Sequence, residues 1–491
     1  MQRAFPRSRY PVSVLLALLA MGAVIVLASA LAPRLLEFGM IVAVAGIGVL
    51  AYPVFGLYLM LAFFIAQGSP LYTQYGIFSG AYTLSDAVGL LVLIGYLMQS
   101  LRPNRERALA PLRGRGGLAV AVVFAYFLWS ALTSIWSPAA LGDLLYSYRN
   151  DVEHVCLFAL SILLLTDLRK VRGAAGAYAL TGAGLAVYTI LTFRGNHGFD
   201  ATSLSSQAYR GGLPSTFNAN ELGIILAVVP AFTAMSVAAM RRGVRVLAMA
   251  AVIPITGLAL IILTSRGTFV ALGVAILVAL AASQGYRRRL ALVPIVLLGA
   301  ATFAVLSATG HLPAYFQDRF TQAQYDQAGD RIPVWTLGLQ QFADHPLGGI
   351  GEQGFETILP SSHIVGSSTT SAHNDFVRTL ADFGIVGFGF LVLMITVLGY
   401  VAVVDSGRDP AGIVVAVALA VSMLSGTFLQ AHWMWAALSI ACAFGLVVSR
   451  SRPVGTAVHG KLLVGTTALP QDTGIHRSDV PIFYHRGPAS G

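Results

Sequence analysis

The chain has 491 residues, of which 56% are hydrophobic and only 11% are charged, and its mean hydropathy is +0.74. Because roughly a quarter of the residues in a soluble domain are charged, this composition excludes an ordinary soluble protein. Apolar runs close to the length that crosses a bilayer, about 20 residues, recur along most of the sequence. We therefore predict an all-α, polytopic membrane protein with about 12–14 transmembrane helices.

The net charge of +10 at first suggests a nucleic-acid partner. The basic residues, however, form small clusters between apolar runs, at 102–115, 169–172, 241–245 and 287–289. Such clusters are typical of the cytoplasmic ends of membrane helices. The pattern therefore predicts that both termini are cytoplasmic, that the lipid bilayer is the surrounding partner, and that no nucleic acid is bound.

About fourteen apolar segments are predicted to be helices. In chain order they are 11–31, 35–50, 53–67, 84–101, 117–136, 152–166, 174–193, 220–240, 246–263, 268–284, 290–309, 383–404, 411–429 and 433–449. The first resembles a signal peptide, but its apolar run is longer than a usual signal core, so we predict a retained helix. The second and third helices are separated only at Tyr52-Pro53. Counting them as two helices places all the basic clusters on one side of the membrane.

The two longest segments outside these helices are 310–382 and 450–491. Residues 310–382 form a large predicted outer loop, in which amphipathic stretches indicate one or two short surface helices. Residues 450–491 are rich in Gly, Pro, Ser and Thr, which is typical of a disordered tail. The predicted domains are thus an integral membrane domain at 1–449, with the 310–382 loop inside it, and a cytoplasmic tail at 450–491.

Polar residues gather at the predicted outer ends of helices rather than at mid-membrane. They are Asp86, Arg149, Asp151, Glu153, His154, Glu221, Arg266 and the group from His373 to Asp382. A transporter usually buries ionisable residues along a path through the membrane. The distribution therefore favours chemistry at the outer membrane–water boundary.

Arginines on the outer side oppose the usual preference for the cytoplasmic side. Arg266, in "LTSRGTF", either snorkels at a helix end or binds an anion, since a guanidinium matches phosphate geometry. The same two interpretations apply to Arg210 and Arg331. Arg194 and Arg378 are weaker candidates for binding an anion. Several such arginines beside a bilayer suggest an anionic lipid headgroup as ligand.

No cofactor is predicted. The histidines lack the paired spacing of a zinc site, and no phosphate-binding glycine loop or dinucleotide fingerprint is present. A magnesium site built from paired acidic residues is not excluded, although the predicted outer segments contain no Asp-x-Asp motif. Cys156 and Cys442 lie in apolar runs, which predicts neither a disulfide nor thiol chemistry.

Four segments together point to a family. "HNDFVRTLADFGIVG" has His373-Asn374 followed at fixed spacing by Gly384 and Gly387. This resembles the signature of the bacterial O-antigen ligases and the related O-antigen and exopolysaccharide polymerases. "RGGLPSTFNANELG", "TSRGTFVALG" and "RIPVWTLGLQQFADHPLGGIGEQGF" are similar to further segments of that family, in the same order.

The resemblance implies a membrane glycosyltransferase of the bacterial inner membrane, with its active site facing the periplasm. Such enzymes transfer a glycan from undecaprenyl diphosphate to a glycan or lipid A-core acceptor, and the ligases need no metal. The shared motifs do not separate a ligase from a polymerase. A transporter or flippase of lipid-linked glycans is the alternative from another class, and a non-catalytic assembly protein is a third possibility.

The resemblance also assigns roles to residues. His373 is the candidate base, because an imidazole titrates near neutral pH, although a histidine that only hydrogen-bonds the loop is the simpler alternative. Arg210, Arg266 and Arg331 are the candidate diphosphate ligands.

Other positions are given supporting or structural roles. Asn218, Asn220 and Glu221 are candidates for binding sugar, and Glu221 is also a candidate alternative base. Asn374 orients His373 or caps the helix. We interpret Asp375 and Asp382 as helix-end charges, Gly384 and Gly387 as helix-packing residues, and His345 as a turn residue.

Overall fold

A computed structural model describes residues 46–66, 84–101, 109–197, 218–283, 331–362 and 371–451. Within these ranges the regular structure is helical, without a strand. The predicted helices at 11–31 and 290–309, most of 35–50, and the predicted tail lie outside the described residues.

The helices are labelled in chain order. They are α1 (Pro53–Ala66), α2 (Leu84–Ser100), α3 (Arg115–Thr133), α4 (Leu141–Leu164), α5 (Leu168–His197), α6 (Ala219–Val237), α7 (Arg242–Leu263), α8 (Arg266–Ala282), α9 (Arg331–Asp344), α10 (Gly354–Ile358), α11 (Asp375–Tyr400), α12 (Pro410–Ser422) and α13 (His432–Arg450). A π-helical turn, Val401–Asp405, extends α11. The short helices α9 and α10 lie in the segment that the sequence predicts to hold them.

Six helices of the described ranges are long and apolar enough to cross a membrane, namely α3, α5, α6, α7, α11 and α13. Four shorter apolar helices, α1, α2, α8 and α12, accompany them. The all-α, polytopic membrane fold predicted from composition is therefore confirmed.

Several helix boundaries differ from the sequence prediction, most of all the starts of α4 and α11. Helix α4 begins at Leu141 rather than 152, and α11 begins at Asp375 rather than 383. Charged residues assigned to loops, such as Asp151 and Asp382, therefore lie inside helices. A hydropathy pattern ends an apolar helix at its first charges, but here Asp151 and Asp382 are buried and bonded to other side chains of the protein, so the helices continue.

Helices α6 and α13 form the centre of the bundle. In the most apolar stretch of each helix, 72% of the α6 residues and 83% of the α13 residues are buried inside the protein, against 28% for α7 and 33% for α11. Trp435 of α13 is fully buried and packs against Phe127, Phe158 and His154. The less covered helices present their apolar side chains outward, as expected for contact with lipid.

The two ends of the bundle have different chemistry. At one end Arg115 of α3 pairs with Asp405, and Arg450 of α13 donates to the carbonyl oxygen of Pro111. At the other end His432, which starts α13, contacts Glu153 of α4 at 2.8 Å. Glu153 also binds Arg149, whose second partner is Asp86 of α2. The polar helix starts thus share one end, away from the Arg115 and Arg450 cluster.

Helix α11 is broken at Gly384, where φ is +63° and ψ is −164°. The turn at 346–351 packs backbone to backbone against this break. Pro346 accepts a hydrogen bond from the Ile385 N–H, and the Gly351 N–H donates to the Asp382 carbonyl at 2.8 Å each. The break therefore holds the 346–351 turn on α11, and the packing role predicted for Gly384 agrees with the structure.

We expect Gly384→Ala to destabilise the protein. Its backbone conformation is essentially restricted to glycine and costs other residues about 1–3 kcal/mol. A Cβ atom there would also overlap the Leu347 backbone. Gly389→Ala, in the same helix but with open space around its Cβ position, is the matched control. Thermal unfolding in detergent measures both, and an equal melting temperature for the two variants would contradict this account.

Candidate functional site

His373 occupies a strained turn immediately before α11. Its φ is +48°, a left-handed conformation that is uncommon for residues other than glycine. The turn is held from two sides: Trp335 of α9 donates to the Ala372 carbonyl at 2.9 Å, and Ser371 bonds Thr427 at 2.6 Å. Such strain persists only where surrounding contacts enforce it, and it is concentrated at functional sites.

Asn374 is the N-cap of α11. Its side-chain oxygen accepts hydrogen bonds from the N–H groups of Phe376 at 2.9 Å and Val377 at 3.2 Å. This satisfies two of the backbone donors that a helix start leaves open. Of the two roles considered for Asn374, the structure shows the cap.

Asp375 anchors the same turn to the connection between α12 and α13, residues 423–431. The buried carboxylate accepts from the N–H groups of Phe428 at 2.9 Å and Leu429 at 3.3 Å. Its own N–H donates to the Met423 carbonyl at 2.9 Å. Asp375 is therefore a tertiary anchor as well as a helix-start charge.

Arg266 lies at the start of α8, beside the 423–431 connection. Ser265 caps this helix and donates its hydroxyl to Oδ1 of Asn220 at 2.7 Å. Gly267 approaches Ser425 so closely that a Cβ atom would lie 2.5 Å from its hydroxyl oxygen. Arg266 itself is half-buried, and within the described part of the chain it has neither a hydrogen bond nor an ion pair.

Of the other predicted site residues, some lie in the described ranges and one does not. Asn218 is the exposed N-cap of α6, and Glu221 lies half-buried in the first turn of that helix. Arg331 starts α9 one turn before Trp335, so both lie on the face of α9 that approaches the His373 turn. Arg210 lies outside the described residues.

Arg378 has a different environment from the one the sequence suggests. It is buried and lies between three carboxylates: Asp382 at 3.2 Å, Glu352 at 3.6 Å and Glu356 at 3.8 Å. Asp382 is 0% exposed and also accepts from the Phe355 N–H at 2.7 Å. The interpretation of Asp382 as a helix-end charge is therefore wrong, because it joins the buried network that holds α10 on α11.

Glu352 links this network to α3 and α4. One carboxylate oxygen accepts from the Ser147 hydroxyl, and the other lies 2.6 Å from the Ser130 hydroxyl. Ser130 also lies 3.1 Å from Oδ2 of Asp151. Because a serine hydroxyl carries one proton, it donates to only one of the two carboxyl groups at a time.

Asp151 lies in α4, which is not one of the candidate membrane spans. Burial raises the pKa of its carboxyl group well above the usual range, and the nearby negative charge of Glu352 raises it further. The Ser130 hydroxyl and the Arg378 guanidinium act in the opposite direction.

These groups line a small cavity between α3, α4 and α11, which we call the carboxylate cavity. Its lining residues are Tyr126, Phe127, Ser130, Asp151, Glu352, Asp375, Arg378, Thr379, Phe383, Leu429 and Gln430. Leu429 and Gln430 belong to the 423–431 connection. The cavity thus lies along the same connection that contacts the His373 turn and the start of α8.

Sequence reasoning missed several residues of this cavity. Glu352 stands in "GIGEQGF", where flanking glycines were a signal of a backbone-packed turn, but nothing local showed that its side chain is buried. Tyr126 and Ser130 lie within an apolar run and look like ordinary helix residues. Only the packing of α3 against α11 brings them to the carboxylates.

Comparison with known families agrees with the sequence resemblance. Residues 249–392 match the family model of the O-antigen ligases. This range contains α8 with Arg266, α9, α10, and the first part of α11 with the His373 turn before it. No curated protein matches the chain. The chain is therefore a multi-pass membrane protein whose residues 249–392 are similar to the O-antigen ligases, in agreement with the resemblance predicted from the sequence.

Proposed function

We propose that this protein transfers a glycan from undecaprenyl diphosphate to an acceptor hydroxyl at the periplasmic face of the bacterial inner membrane. The observation that supports it best is the convergence of two chemically complementary segments on the 423–431 connection. Ser371 of the His373 turn bonds Thr427, while Gly267, next to Arg266, contacts Ser425. The segments that carry His373, the candidate base, and Arg266, a cation, therefore both contact the 423–431 connection.

In the proposed step the acceptor oxygen attacks the anomeric carbon of the donor glycan. The bond from that carbon to the phosphate oxygen breaks, and its electron pair leaves with the diphosphate. The His373 imidazole takes the proton of the attacking hydroxyl, and Arg266, with Arg210 and Arg331, offsets the charge on the leaving diphosphate. A single displacement inverts the anomeric centre, and arginines supply the counter-charge without a metal.

The supporting polar residues have parts in this proposal too. Asn220 positions the start of α8 through Ser265. Glu221, in the next position of α6, has no hydrogen bond within the described residues, so its carboxylate can accept from sugar hydroxyls. Asn218 stands at the exposed start of the same helix, and Asn374 holds the His373 turn through its cap.

The experiment is reconstitution of the purified protein in liposomes with an undecaprenyl-diphosphate oligosaccharide. One arm offers a lipid A-core acceptor and the other a second lipid-linked glycan. A modified core identifies a ligase, and an elongated lipid-linked product identifies a polymerase. Activity that survives EDTA, and an inverted linkage by NMR, are expected. Movement of the donor across the bilayer without a glycan product would instead indicate a transporter.

Arg266→Ala should impair use of the donor. A hydrogen bond to a charged group contributes about 1.5–3 kcal/mol, so kcat/KM for the donor should fall roughly 10- to 150-fold. The fold should be retained, because Arg266 is half-buried without a partner in the described ranges. Arg245→Ala, an exposed arginine in the first turn of α7, is the matched control. Normal donor kinetics in Arg266→Ala would remove Arg266 from the diphosphate site.

A further inference from the structure

His432 begins α13 directly after the 423–431 connection, and contacts with two other helices fix its side chain. It is 8% exposed, and its imidazole stacks on the Phe64 ring of α1, with the ring centroids 4.7 Å apart. The His154 ring of α4 lies 4.6 Å from the same imidazole, centroid to centroid. Its Nε2 atom lies 2.8 Å from Oε2 of Glu153, and since an ionised carboxylate only accepts, the imidazole N–H is the donor.

The Glu153 carboxylate that accepts this hydrogen bond is itself held by ion pairs. Its other oxygen, Oε1, accepts from Nε of Arg149 at 2.7 Å. Arg149 also donates to Asp86 of α2 at 2.9 Å. Because both oxygens of Glu153 are engaged, the carboxylate has a fixed direction, and the Glu153–His432 hydrogen bond ties the start of α13 to α4 and α2.

The packing of α13 does not depend on this hydrogen bond. In the most apolar stretch of the helix 83% of the residues are buried inside the protein, and Trp435 is 0% exposed. Buried polar pairs can often be replaced by apolar side chains without loss of stability, and their best-attested use is to select one arrangement among several. The Glu153–His432 hydrogen bond therefore acts on the placement of the neighbouring backbone rather than on the stability of the bundle.

The backbone next to His432 forms a tight turn at the end of the connection. The Ala431 N–H donates to the Phe428 carbonyl oxygen at 2.8 Å. Trp435 of α13 donates its indole N–H to the Leu429 carbonyl oxygen at 2.8 Å. Because these bonds join the connection to the first turn of α13, a displacement of the His432 backbone also displaces Phe428 and Leu429.

These two residues of the connection bind the His373 turn. Their N–H groups donate to the Asp375 carboxylate at 2.9 and 3.3 Å, and Asp375 follows His373 by only two positions. The start of α8, with Arg266, contacts the connection nearer its other end, where Gly267 approaches Ser425. The hydrogen bond at the α13 start is therefore coupled more directly to the candidate base than to the candidate diphosphate ligand.

We propose that the Glu153–His432 hydrogen bond is a positioning contact for the transfer reaction, which sets the place of His373 through the 423–431 connection. The inference rests on the proposed glycan transfer and adds two residues that act through the backbone. Because a misplacement of about 1 Å can lower a rate about 100-fold, loss of this bond should slow the chemical step while donor binding is retained.

The test separates the hydrogen bond of His432 from its aromatic ring. His432→Phe keeps a ring that can stack on Phe64 but removes the donor. His432→Gln removes the ring and places an amide N–H as many bonds from Cβ as the imidazole Nε2. His154→Phe is the matched control, because the His154 ring contacts the same aromatic cluster and neither of its nitrogens has a hydrogen-bond partner within the described residues.

The kcat of transfer in proteoliposomes should fall about 10- to 100-fold in His432→Phe, with the KM for the donor unchanged. His432→Gln should restore most of the rate, and His154→Phe should transfer like the wild type. A role in packing alone predicts the reverse order, because phenylalanine keeps the ring and glutamine does not. Wild-type transfer by His432→Phe, equal losses in both His432 variants, or an equal loss in His154→Phe would each overturn the proposal.

The other side of the hydrogen bond offers an independent variant. Glu153→Leu removes the acceptor, while Arg149 keeps its contact with Asp86. This variant should show the same loss as His432→Phe, and the double variant should lose no more than either single variant, because the same bond is missing in all three. Losses that multiply in the double variant would contradict a shared action.

Hydrogen exchange distinguishes failure of this inference from failure of the proposed transfer. In His432→Phe the backbone amides of Phe428 and Leu429, which bind Asp375, should exchange about 10-fold faster than in the wild type, the effect of weakening about one hydrogen bond. Unchanged exchange at these amides would overturn the coupling whether or not glycan is transferred. If their exchange rises but the wild-type protein forms no glycan product, the coupling to the His373 turn holds and the transfer assignment fails.

Discussion

His373→Ala should lower the rate of glycan transfer about 10²- to 10⁴-fold, which is the usual contribution of a general base. The acceptor hydroxyl is protonated at neutral pH, and in this variant the proposed proton acceptor is missing. Donor binding should be retained, because the proposed diphosphate ligands are unchanged. The measurement is single-turnover transfer in proteoliposomes together with donor binding.

The backbone at His373 makes a second variant necessary. Its left-handed conformation is less favourable for alanine than for asparagine, so His373→Asn preserves the turn while removing the base. His345→Ala is the matched control, because His345 is an exposed histidine of the same segment, at the turn before Pro346. Transfer at the wild-type rate by a folded His373→Asn protein would exclude His373 as the base.

Arg378→Met should have the largest effect on stability, about 3–5 kcal/mol, the usual cost of removing one partner of a buried ion pair. Glu352 and Asp382 would stay buried without a counter-charge, and the contacts that hold α10 against α11 would be weakened. The loss should be smaller at low pH, because protonated carboxyl groups need no counter-charge.

Denaturant or thermal unfolding in detergent measures this effect. Arg245→Met, at an exposed arginine of α7, should leave the stability nearly unchanged, since exposed charges contribute little. Arg378→Lys keeps the charge but not the guanidinium fork, so it should lie between the two. A melting temperature of Arg378→Met equal to that of the wild-type protein would contradict the structural role of the carboxylate network.

Much of the fold can be predicted from the sequence because a membrane helix satisfies its own backbone and must be apolar where it meets lipid. Length and hydropathy therefore locate helices such as α6 and α13 to within a few residues. The same reasoning fails at α4 and at the start of α11. There the helix continues through charged residues whose partners come from other parts of the chain.

In the candidate site, too, some roles follow from the local sequence and others only from the tertiary structure. Asn374 as a cap follows from local chemistry, since an amide oxygen satisfies the first N–H groups of a helix. The roles of Asp375 and Asp382 do not, because the N–H groups that they accept from belong to residues 428–429 and Phe355. Local sequence cannot distinguish an exposed helix-start carboxylate from a buried one.

The sequence by itself determined the membrane class and led to the O-antigen ligase resemblance and to the prediction of His373 as the base, since each depends on composition or on residues at fixed spacing. Only the tertiary structure decided which charges meet. It separated Arg266, a cation without a partner in the described ranges, from Arg378, a buried cation between three carboxylates. It also brought Ser130 of α3 and Asp151 of α4 together with Glu352. The physical reason is that burial and pairing depend on contacts between distant segments, which composition and spacing do not encode.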